Sequence, residues 1–176
     1  MKIFRLVFFS FLFLFLLVTG ISLFIPSHIR ISKAIDIAAT ADTILSQLNE
    51  PARWKNWFPG LGSSKLFYEA GIVKGLIIDD SSGQYIKIIE TKNDEIITEL
   101  RSGSKKIVSG WKIISNDRSD TTTLHTTLQW YMDFQLRWYP WEKFSSLLFE
   151  KSYGLRMEEG LNNIKKIAEA GRISIN

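Results

Sequence analysis

The segment 124–134, LHTTLQWYMDF, carries the strongest secondary-structure signal in the chain. Apolar and more polar side chains alternate along it. The apolar set is Leu124, Leu128, Trp130, Met132 and Phe134, and the other set is His125, Thr127, Gln129, Tyr131 and Asp133. A period of two residues predicts a β-strand with one buried face.

Five shorter runs of β-branched and aromatic residues precede this segment and predict further strands. They lie at residues 66–68, 72–78, 85–89, 96–100 and 107–114. Turn-forming residues separate them, at Ser81-Ser82-Gly83, Asn93-Asp94, Ser102-Gly103-Ser104 and Asn116-Asp117. Because parallel pairing needs long crossovers, these short links predict an antiparallel meander.

Beyond Pro140 the apolar period becomes helical. The apolar seam is Gly154, Met157, Leu161, Ile164 and Ala168. It predicts a helix from about residue 141 to about residue 170. One long helix can cover the concave face of a curved sheet, so the predicted fold class is α+β, and we expect a cavity between sheet and helix. Gly154 and Gly160 either remove side-chain volume at that cavity or are tolerated helix glycines, each costing about 1 kcal/mol.

The chain before the meander predicts one more strand, at residues 28–37. Its apolar face carries Ile29, Ile31, Ile35 and Ile37. Lys33 falls on the same face, either as a side chain that reaches solvent at the end of the sheet or as a charge at a cavity mouth. Thr40 is the predicted N-cap of a following helix, which ends at Pro51. An aromatic-rich turn, PARWKNWFPG, occupies residues 51–60.

Two motifs resemble a known family. The first is Ile35-Asp36-Ile37-Ala38-Ala39, the helix after it, and Trp54-Lys55-Asn56-Trp57-Phe58-Pro59; the second is the glycine-containing C-terminal helix at residues 153–165. Together they resemble the START-like, Bet v 1-type (SRPBCC) superfamily, in its bacterial polyketide cyclase-like branch. The resemblance covers residues 31–169 and implies a helix-grip fold, with a curved antiparallel sheet wrapped on the long C-terminal helix. The branch often has proline at the start of the first helix, where this chain has Thr40-Ala41.

The N-terminal segment 6–25, LVFFSFLFLFLLVTGISLFI, contains no charged residue. A helix of that length covers about 30 Å, the thickness of a bilayer's hydrocarbon core. We therefore predict a short cytoplasmic tail at residues 1–5, a transmembrane anchor at 6–26, the START-like domain at 28–171 and a tail at 172–176. A cleaved signal peptide is the alternative, with Val18-Thr19-Gly20 as its cleavage site.

Both interpretations of this segment send the domain across the membrane. Lys2 and Arg5 precede the apolar stretch, which favours a cytoplasmic N-terminus and an extracytoplasmic domain, and cleavage would give a secreted form. Without these two residues, 20 basic and 18 acidic side chains remain, and they are interspersed. A nucleic-acid-binding protein would usually carry a clustered basic face, so no nucleic-acid partner is predicted.

The sequence offers few groups for catalysis. It has no cysteine, which excludes disulfides, thiol nucleophiles and Cys-based zinc sites. His28 and His125 have no neighbours at metal-ligand spacing, and no P-loop, nucleophile elbow or dinucleotide-binding fingerprint occurs. We predict no metal, no cofactor and no catalytic residue.

Aromatic side chains are the richest feature of the domain. The candidate ligand-binding residues, expected to line the cavity, are Trp54, Trp57, Phe67, Trp111, Trp130, Met132, Met157 and Leu161. Such residues suit a bulky apolar ligand, although any one of them fits a core position equally well. Trp138-Tyr139-Pro140-Trp141 could instead meet the lipid interface, where amphipathic rings settle.

Three hypotheses for function follow. The leading one is that the domain binds a lipid or another hydrophobic small molecule in the sheet–helix cavity. The second, implied by the resemblance, is a polyketide cyclase- or dehydratase-like enzyme, which needs a titratable group facing the cavity. The third is a structural or interaction domain with a filled core, which a cavity much smaller than about 300 Å³ would favour.

Overall fold

The computed structural model describes residues 2–115 and 125–173. Its elements, in chain order, are α1 (Lys2–Ser22), β1 (His28–Ile37), α2 (Ala41–Asn49), α3 (Trp54–Trp57), β2 (Lys65–Glu69), β3 (Ile72–Asp79), β4 (Gln84–Thr91), β5 (Glu95–Ser102), β6 (Lys105–Ser115), β7 (Thr126–Gln135), α4 (Pro140–Ser145) and α5 (Phe149–Ile173). Short 3-10 turns occupy Pro51–Arg53 and Ser146–Leu148.

The seven strands form one antiparallel sheet in the order β1-β7-β6-β5-β4-β3-β2. Strands β2 to β7 pair with their chain neighbours, which confirms the predicted meander, and β1 pairs with β7 at the edge. The alternation along β7 holds for its apolar set, Leu128, Trp130, Met132 and Phe134, all of which are buried. Leu124 and the turn predicted at Asn116-Asp117 lie outside the described residues.

Register shifts mark where the sheet curves. They fall between Phe67 and Tyr68, between Ile77 and Asp79, and between Ile88 and Glu90. Bulges of this kind bend a strand and increase its twist. At Gly75, β3 passes so close to β4 that a Cβ atom would lie 1.9 Å from the carbonyl oxygen of Ile86. Only glycine fits this position.

Helix α5 covers the concave face of the sheet, which confirms the predicted α+β helix-grip fold. The buried residues of its apolar seam are Met157, Leu161, Ile164 and Ala168. Two polar contacts fix its C-terminal half to the end of β1. The Ala38 N–H donates to the Glu169 carboxylate at 3.0 Å, and Lys165 Nζ donates to the carbonyl oxygen of Asp36 at 2.8 Å.

The helix expected from residue 141 to residue 170 is confirmed from Pro140 to Ile173, with one 3-10 turn at Ser146–Leu148 between α4 and α5. The interruption coincides with Ser145 and Ser146, whose hydroxyls donate to the carbonyl oxygens of Glu142 at 2.8 Å and Lys143 at 2.6 Å. Serine side chains that bond to the preceding turn compete with the helical backbone and bend helices. Ser145, Ser146 and Phe149 keep right-handed helical dihedral angles, so the helical backbone continues through the 3-10 turn into α5.

Lys33 joins β1 to α5. Its ammonium lies 2.6 Å from Glu150 and 2.9 Å from Glu158, two turns apart on the helix. The hydrogen bond that Lys33 donates to Glu150, with a second that it donates to Glu158, raises the pKa of Lys33. A Cβ atom at Gly154 would lie 3.1 Å from Cε of Lys33, so this glycine makes room for the lysine side chain.

Helix α2 begins where the sequence predicts. Thr40 Oγ1 accepts a hydrogen bond from the Thr43 N–H at 3.3 Å and caps the helix. The chain then passes through the 3-10 turn that begins at Pro51 and enters α3, which buries Trp54 and Trp57 in the core.

Helix α1 is long and apolar enough to cross a bilayer. It has 21 residues, and none of its most apolar 18-residue window is buried against the rest of the chain. By its length and composition, this helix could be a membrane span. An N-terminal signal sequence has the same length and composition.

Candidate ligand-binding site

The four tryptophans predicted to line the cavity form one cluster between the sheet and α5. Trp54, Trp57, Trp111 and Trp130 are each 1% exposed or less. Trp111 lies at the centre, with its ring centroid 5.2 Å from Trp54, 5.4 Å from Trp57 and 5.7 Å from Trp130. These separations are those of directly packed aromatic rings. The tryptophans therefore fill the space in which we expected a ligand.

Met132, Met157 and Leu161 belong to the same buried core. Three of the four indoles also have acceptors. Trp54 donates to the carbonyl oxygen of Leu48 at 2.8 Å, Trp130 to Ser109 Oγ at 2.8 Å, and Trp57 to the carbonyl oxygen of Gln47 at 3.4 Å. Within the described residues, Nε1 of Trp111 has no partner. The cluster is thus a packed core in which most polar atoms are satisfied.

Gly160 serves this packing. A Cβ atom there would lie 2.6 Å from Cζ3 of Trp130 and 3.1 Å from Cδ of Pro59. The missing side chain lets the Trp130 ring lie against α5. The sequence left two explanations for Gly160, removal of side-chain volume or a tolerated helix glycine. The first applies, but the Trp130 ring, and not a ligand, occupies the space that the missing side chain leaves.

Phe67 lies apart from the other seven residues. In the sheet, Phe67 lies opposite Gly75 of β3, and Gly75 lies opposite Lys87 of β4. Leu66, the residue before Phe67, packs against the core. The Phe67 ring stacks on Tyr85 with a centroid separation of 5.2 Å. Phe67 therefore belongs to the outer face of the sheet, away from α5.

A cavity of about 290 Å³ lies at one end of the sheet–helix interface. It is lined by residues 104–107, residues 134–137, Glu142, Phe149 and Tyr153. These segments are the start of β6, the end of β7, α4 and the first turns of α5. None of these residues is among those predicted from the sequence to line the cavity.

The cavity has an apolar wall and a polar rim. Phe134 packs on Phe149 at 4.7 Å and on Tyr153 at 4.8 Å between ring centroids. On the rim, the Glu142 carboxylate accepts the Arg137 N–H at 2.9 Å and lies 3.9 Å from the Lys105 ammonium. Six of the eleven lining residues are polar or charged, and the other five form the apolar wall.

The cavity lies next to the chain that leaves α1. The Leu136 N–H donates to the carbonyl oxygen of Ser27 at 2.7 Å, and β1 begins at the next residue, His28, opposite Gln135. Lys143, on α4, donates to the carbonyl oxygen of Ile25 at 2.5 Å. The end of the sheet that holds the cavity is therefore also the end nearest α1.

The histidines do not contribute to this cavity. His28 Nε2 lies 3.5 Å from the Asp133 carboxylate, and His125 is exposed immediately before β7. In the part of the chain that the structure describes, no group of three His, Asp or Glu residues could hold a metal ion. The lining contains one carboxyl group, that of Glu142, and one phenol, that of Tyr153. The cations Lys105, Lys106 and Arg137 lie beside them.

The outer face of the sheet carries a separate polar network. Arg30 donates to both oxygens of Asp133, at 2.7 and 2.6 Å, and its guanidinium lies 4.3 Å from the centre of the Tyr131 ring. The Tyr131 hydroxyl donates to Glu95 at 2.9 Å. A Cβ atom at Gly110 would lie 2.4 Å from Cζ of Tyr131, so the ring covers this glycine. The network joins four strands on the face opposite α5.

Burial of Tyr131, together with its hydrogen bond to Glu95, raises the pKa of Tyr131 to about 12. The unfolded chain loses this proton near pH 10, before the folded chain does. We therefore expect the free energy of unfolding to fall as the pH rises from 10 toward 12. In Tyr131→Phe this fall should be smaller. Urea unfolding of the full chain in detergent, between about pH 9 and about pH 11, measures the effect. Tyr68→Phe, at an exposed tyrosine, is the control; an unchanged pH slope in Tyr131→Phe would contradict the prediction.

The architecture defines the class of protein. A curved antiparallel sheet that grips one long C-terminal helix, with a cavity at the end of their interface, is the START-like helix-grip arrangement. The chain belongs to the polyketide cyclase/dehydrase and lipid transport family, whose profile matches residues 28–169. This confirms the resemblance seen in the sequence motifs.

Solved structures share the fold at low sequence identity. A START superfamily protein from Mycobacterium smegmatis is 19% identical, with a TM-score of 0.56, over 80% of this chain and 97% of that one. The Zhui aromatase/cyclase from a Streptomyces species is 14% identical, with a TM-score of 0.55, over 81% and 94%. Norcoclaurine synthase from Thalictrum flavum is 13% identical, with a TM-score of 0.54, over 80% and 86%. No curated protein sequence matches this chain.

Proposed function

We propose that this protein is a membrane-anchored START-like domain that binds a lipid or another hydrophobic small molecule. The ligand occupies the cavity between the end of the sheet and the start of α5. The observation that carries the proposal is the position of this cavity beside the link that follows α1, where the N–H of the lining residue Leu136 donates to the carbonyl oxygen of Ser27 at 2.7 Å. A ligand that leaves the bilayer at this point enters the domain without crossing bulk water.

The size and lining of the cavity favour one apolar group. Its volume of about 290 Å³ lies at the lower end of the range for small-molecule sites. It suits a single acyl chain or a compact ring system better than a whole two-chain lipid. Phe134, Phe149 and Tyr153 supply the apolar contacts, and the rim groups Lys105 and Arg137 can meet a polar or anionic end of the ligand.

The anchor sets the topology of the proposal. Helix α1 stays in the membrane with Lys2 and Arg5 on the cytoplasmic side, and the domain is extracytoplasmic. The length of the uncharged stretch, 20 residues at 6–25, supports retention, because the apolar region of a signal peptide is normally about 7–15 residues long. Cleavage of α1 would give a secreted form of the same domain.

Native mass spectrometry of the full chain, released from detergent or nanodiscs, tests ligand binding. We expect one apolar molecule to remain bound after detergent and loosely held lipid have been stripped away. A chain that neither retains an apolar molecule nor accepts an added fatty acid would contradict the proposal.

A cyclase or dehydratase is the second candidate, and the position of Glu142 on the cavity rim is the observation that favours it. A carboxylate beside a bound ligand can act as a general acid or base. The same mass spectrometry separates the two functions. A binding protein releases its ligand unchanged. A dehydratase releases a product lighter by one water, and a cyclase releases an isomer of equal mass that separates from the substrate by chromatography; either conversion should be lost in Glu142→Gln.

A further inference from the structure

Large apolar side chains are exposed on the segment that leads from the sheet to α5. They are Trp138, Trp141, Leu147 and Leu148, each 62–68% exposed, and we call them the 138–148 surface. Contiguous apolar surface of this kind usually marks contact with a partner or a membrane. Two of the four residues are tryptophans, which are costly to leave in water.

The 138–148 surface is fixed to the end of α1. Lys143 lies between its residues in sequence and is itself only 4% exposed. Its ammonium donates to the carbonyl oxygen of Ile25 at 2.5 Å and to Ser27 Oγ at 3.0 Å. A buried ammonium that donates to two acceptors holds the two segments together, because moving them apart would leave the ammonium without an acceptor.

The apolar surface continues onto the anchor. Leu23 and Phe24, which follow α1 directly, are 69% and 90% exposed. They adjoin Ile25, the residue that Lys143 holds. Three segments expose these apolar side chains: α1, the link after it and the 138–148 surface. The hydrogen bonds of Lys143 join the third segment to the link.

The chemistry of the 138–148 surface suits the boundary between lipid and water. The rings of Trp138 and Tyr139 lie 5.0 Å apart, and those of Tyr139 and Trp141 stack at 4.8 Å. Amphipathic rings concentrate at membrane–water interfaces, where one edge is apolar and the other is hydrated. Arg137, exposed just before this cluster, can reach lipid phosphates from there.

We propose that the 138–148 surface lies in the interfacial layer of the bilayer and docks the domain on the lipid surface. The inference rests on the anchor of the proposed function and goes beyond it, because a transmembrane helix alone does not place any part of the domain in contact with lipid. Docking through α4 places the rim residues Arg137 and Glu142, and with them the cavity mouth, at the level of the lipid headgroups.

The six tryptophans provide a direct test. Four are buried in the core and two, Trp138 and Trp141, belong to the 138–148 surface. The full chain is reconstituted in nanodiscs of phosphatidylcholine and phosphatidylglycerol whose acyl chains are brominated near the headgroup, and its fluorescence is compared with that in unbrominated nanodiscs. Because two of the six tryptophans touch lipid, we expect bromine to quench about a third of the emission.

The matched variant is Trp138→Phe/Trp141→Phe, which keeps an aromatic ring at both positions. Its remaining emission should be insensitive to bromine, because the four core tryptophans are beyond contact with lipid. Equal emission of the unaltered chain in brominated and unbrominated nanodiscs would overturn the docking surface and would favour a protein partner or a second copy there. A chain that does not co-elute with the nanodiscs would overturn the anchor, and the docking surface with it.

Discussion

Ile107→Trp is expected to abolish retention of an apolar ligand by the full chain. Ile107 lies near the start of β6, is 6% exposed and forms part of the cavity wall. An indole at this position has room to extend only into the cavity of about 290 Å³, where it replaces the ligand. We expect at least a tenfold loss of affinity, about 1.4 kcal/mol, measured by titration with a fatty acid in native mass spectrometry.

Val108→Trp is the matched control. Val108 is the next residue of β6, faces the outer side of the sheet and is 38% exposed. The same side chain is thus added one position away, outside the cavity. Val108→Trp should bind ligand as the unaltered chain does. Equal binding by Ile107→Trp and Val108→Trp, with both chains folded, would show that the ligand occupies another place.

Gly160→Ala is expected to destabilise the domain more than other single-methyl additions to α5. The new Cβ would lie 2.6 Å from the Trp130 ring and 3.1 Å from Pro59, and the Trp130 ring is buried in the packed core, where it has little room to shift. Overpacking of this kind costs about 1–3 kcal/mol, and replacing a helix glycine by alanine returns at most about 1 kcal/mol. Urea unfolding of the full chain in detergent, followed by core tryptophan emission, should show a net loss of stability.

Gly154→Ala provides the comparison on the same helix. Its Cβ would lie 3.1 Å from Cε of Lys33 and 3.3 Å from a Glu150 carboxylate oxygen, both at the ends of flexible side chains. These side chains can shift, so the gain in helix propensity should offset most of the crowding. A Gly160→Ala variant that is as stable as Gly154→Ala would contradict the packing described for Trp130.

The fold can be predicted from the sequence because its signals are local and agree with one another. The alternation in β7, the seam of Met157 and Leu161 on α5, and the cap at Thr40 each follow from chemistry within a few residues. The 3-10 turn before α5 is harder to predict from the sequence, because it depends on the acceptors to which the Ser145 and Ser146 hydroxyls donate. Serine is common in helices, so its presence alone does not predict an interruption.

The cavity cannot be predicted in the same way because its walls come from distant parts of the chain. Residues 104–107, residues 134–137 and Tyr153 meet only after the sheet has formed and α5 has packed on it. The sequence does give Phe134 an inward position at the end of its strand, which is a partial signal. Nothing local indicates that the space beside it stays open.

The number of aromatic residues also does not show which of them pack in the core and which line a cavity. Trp111 and Trp130 face inward as their strands require, but their rings fill the interior because Gly160 allows Trp130 to lie against α5. Phe67 shows a different difficulty. Strand β2 has only five residues and a register shift after Phe67, so its alternation is too short to assign a face from sequence.

Photo-crosslinking within the membrane tests the central claim most directly. The full chain is reconstituted in nanodiscs that contain a fatty acid with a diazirine on its acyl chain, irradiated, and digested, and the modified peptides are mapped by mass spectrometry. We expect cross-links in residues 104–107, 134–137 and 149–153, and their loss in Ile107→Trp but not in Val108→Trp. Cross-links confined to α1 and the 138–148 surface, with none in these three segments, would contradict ligand binding in the cavity.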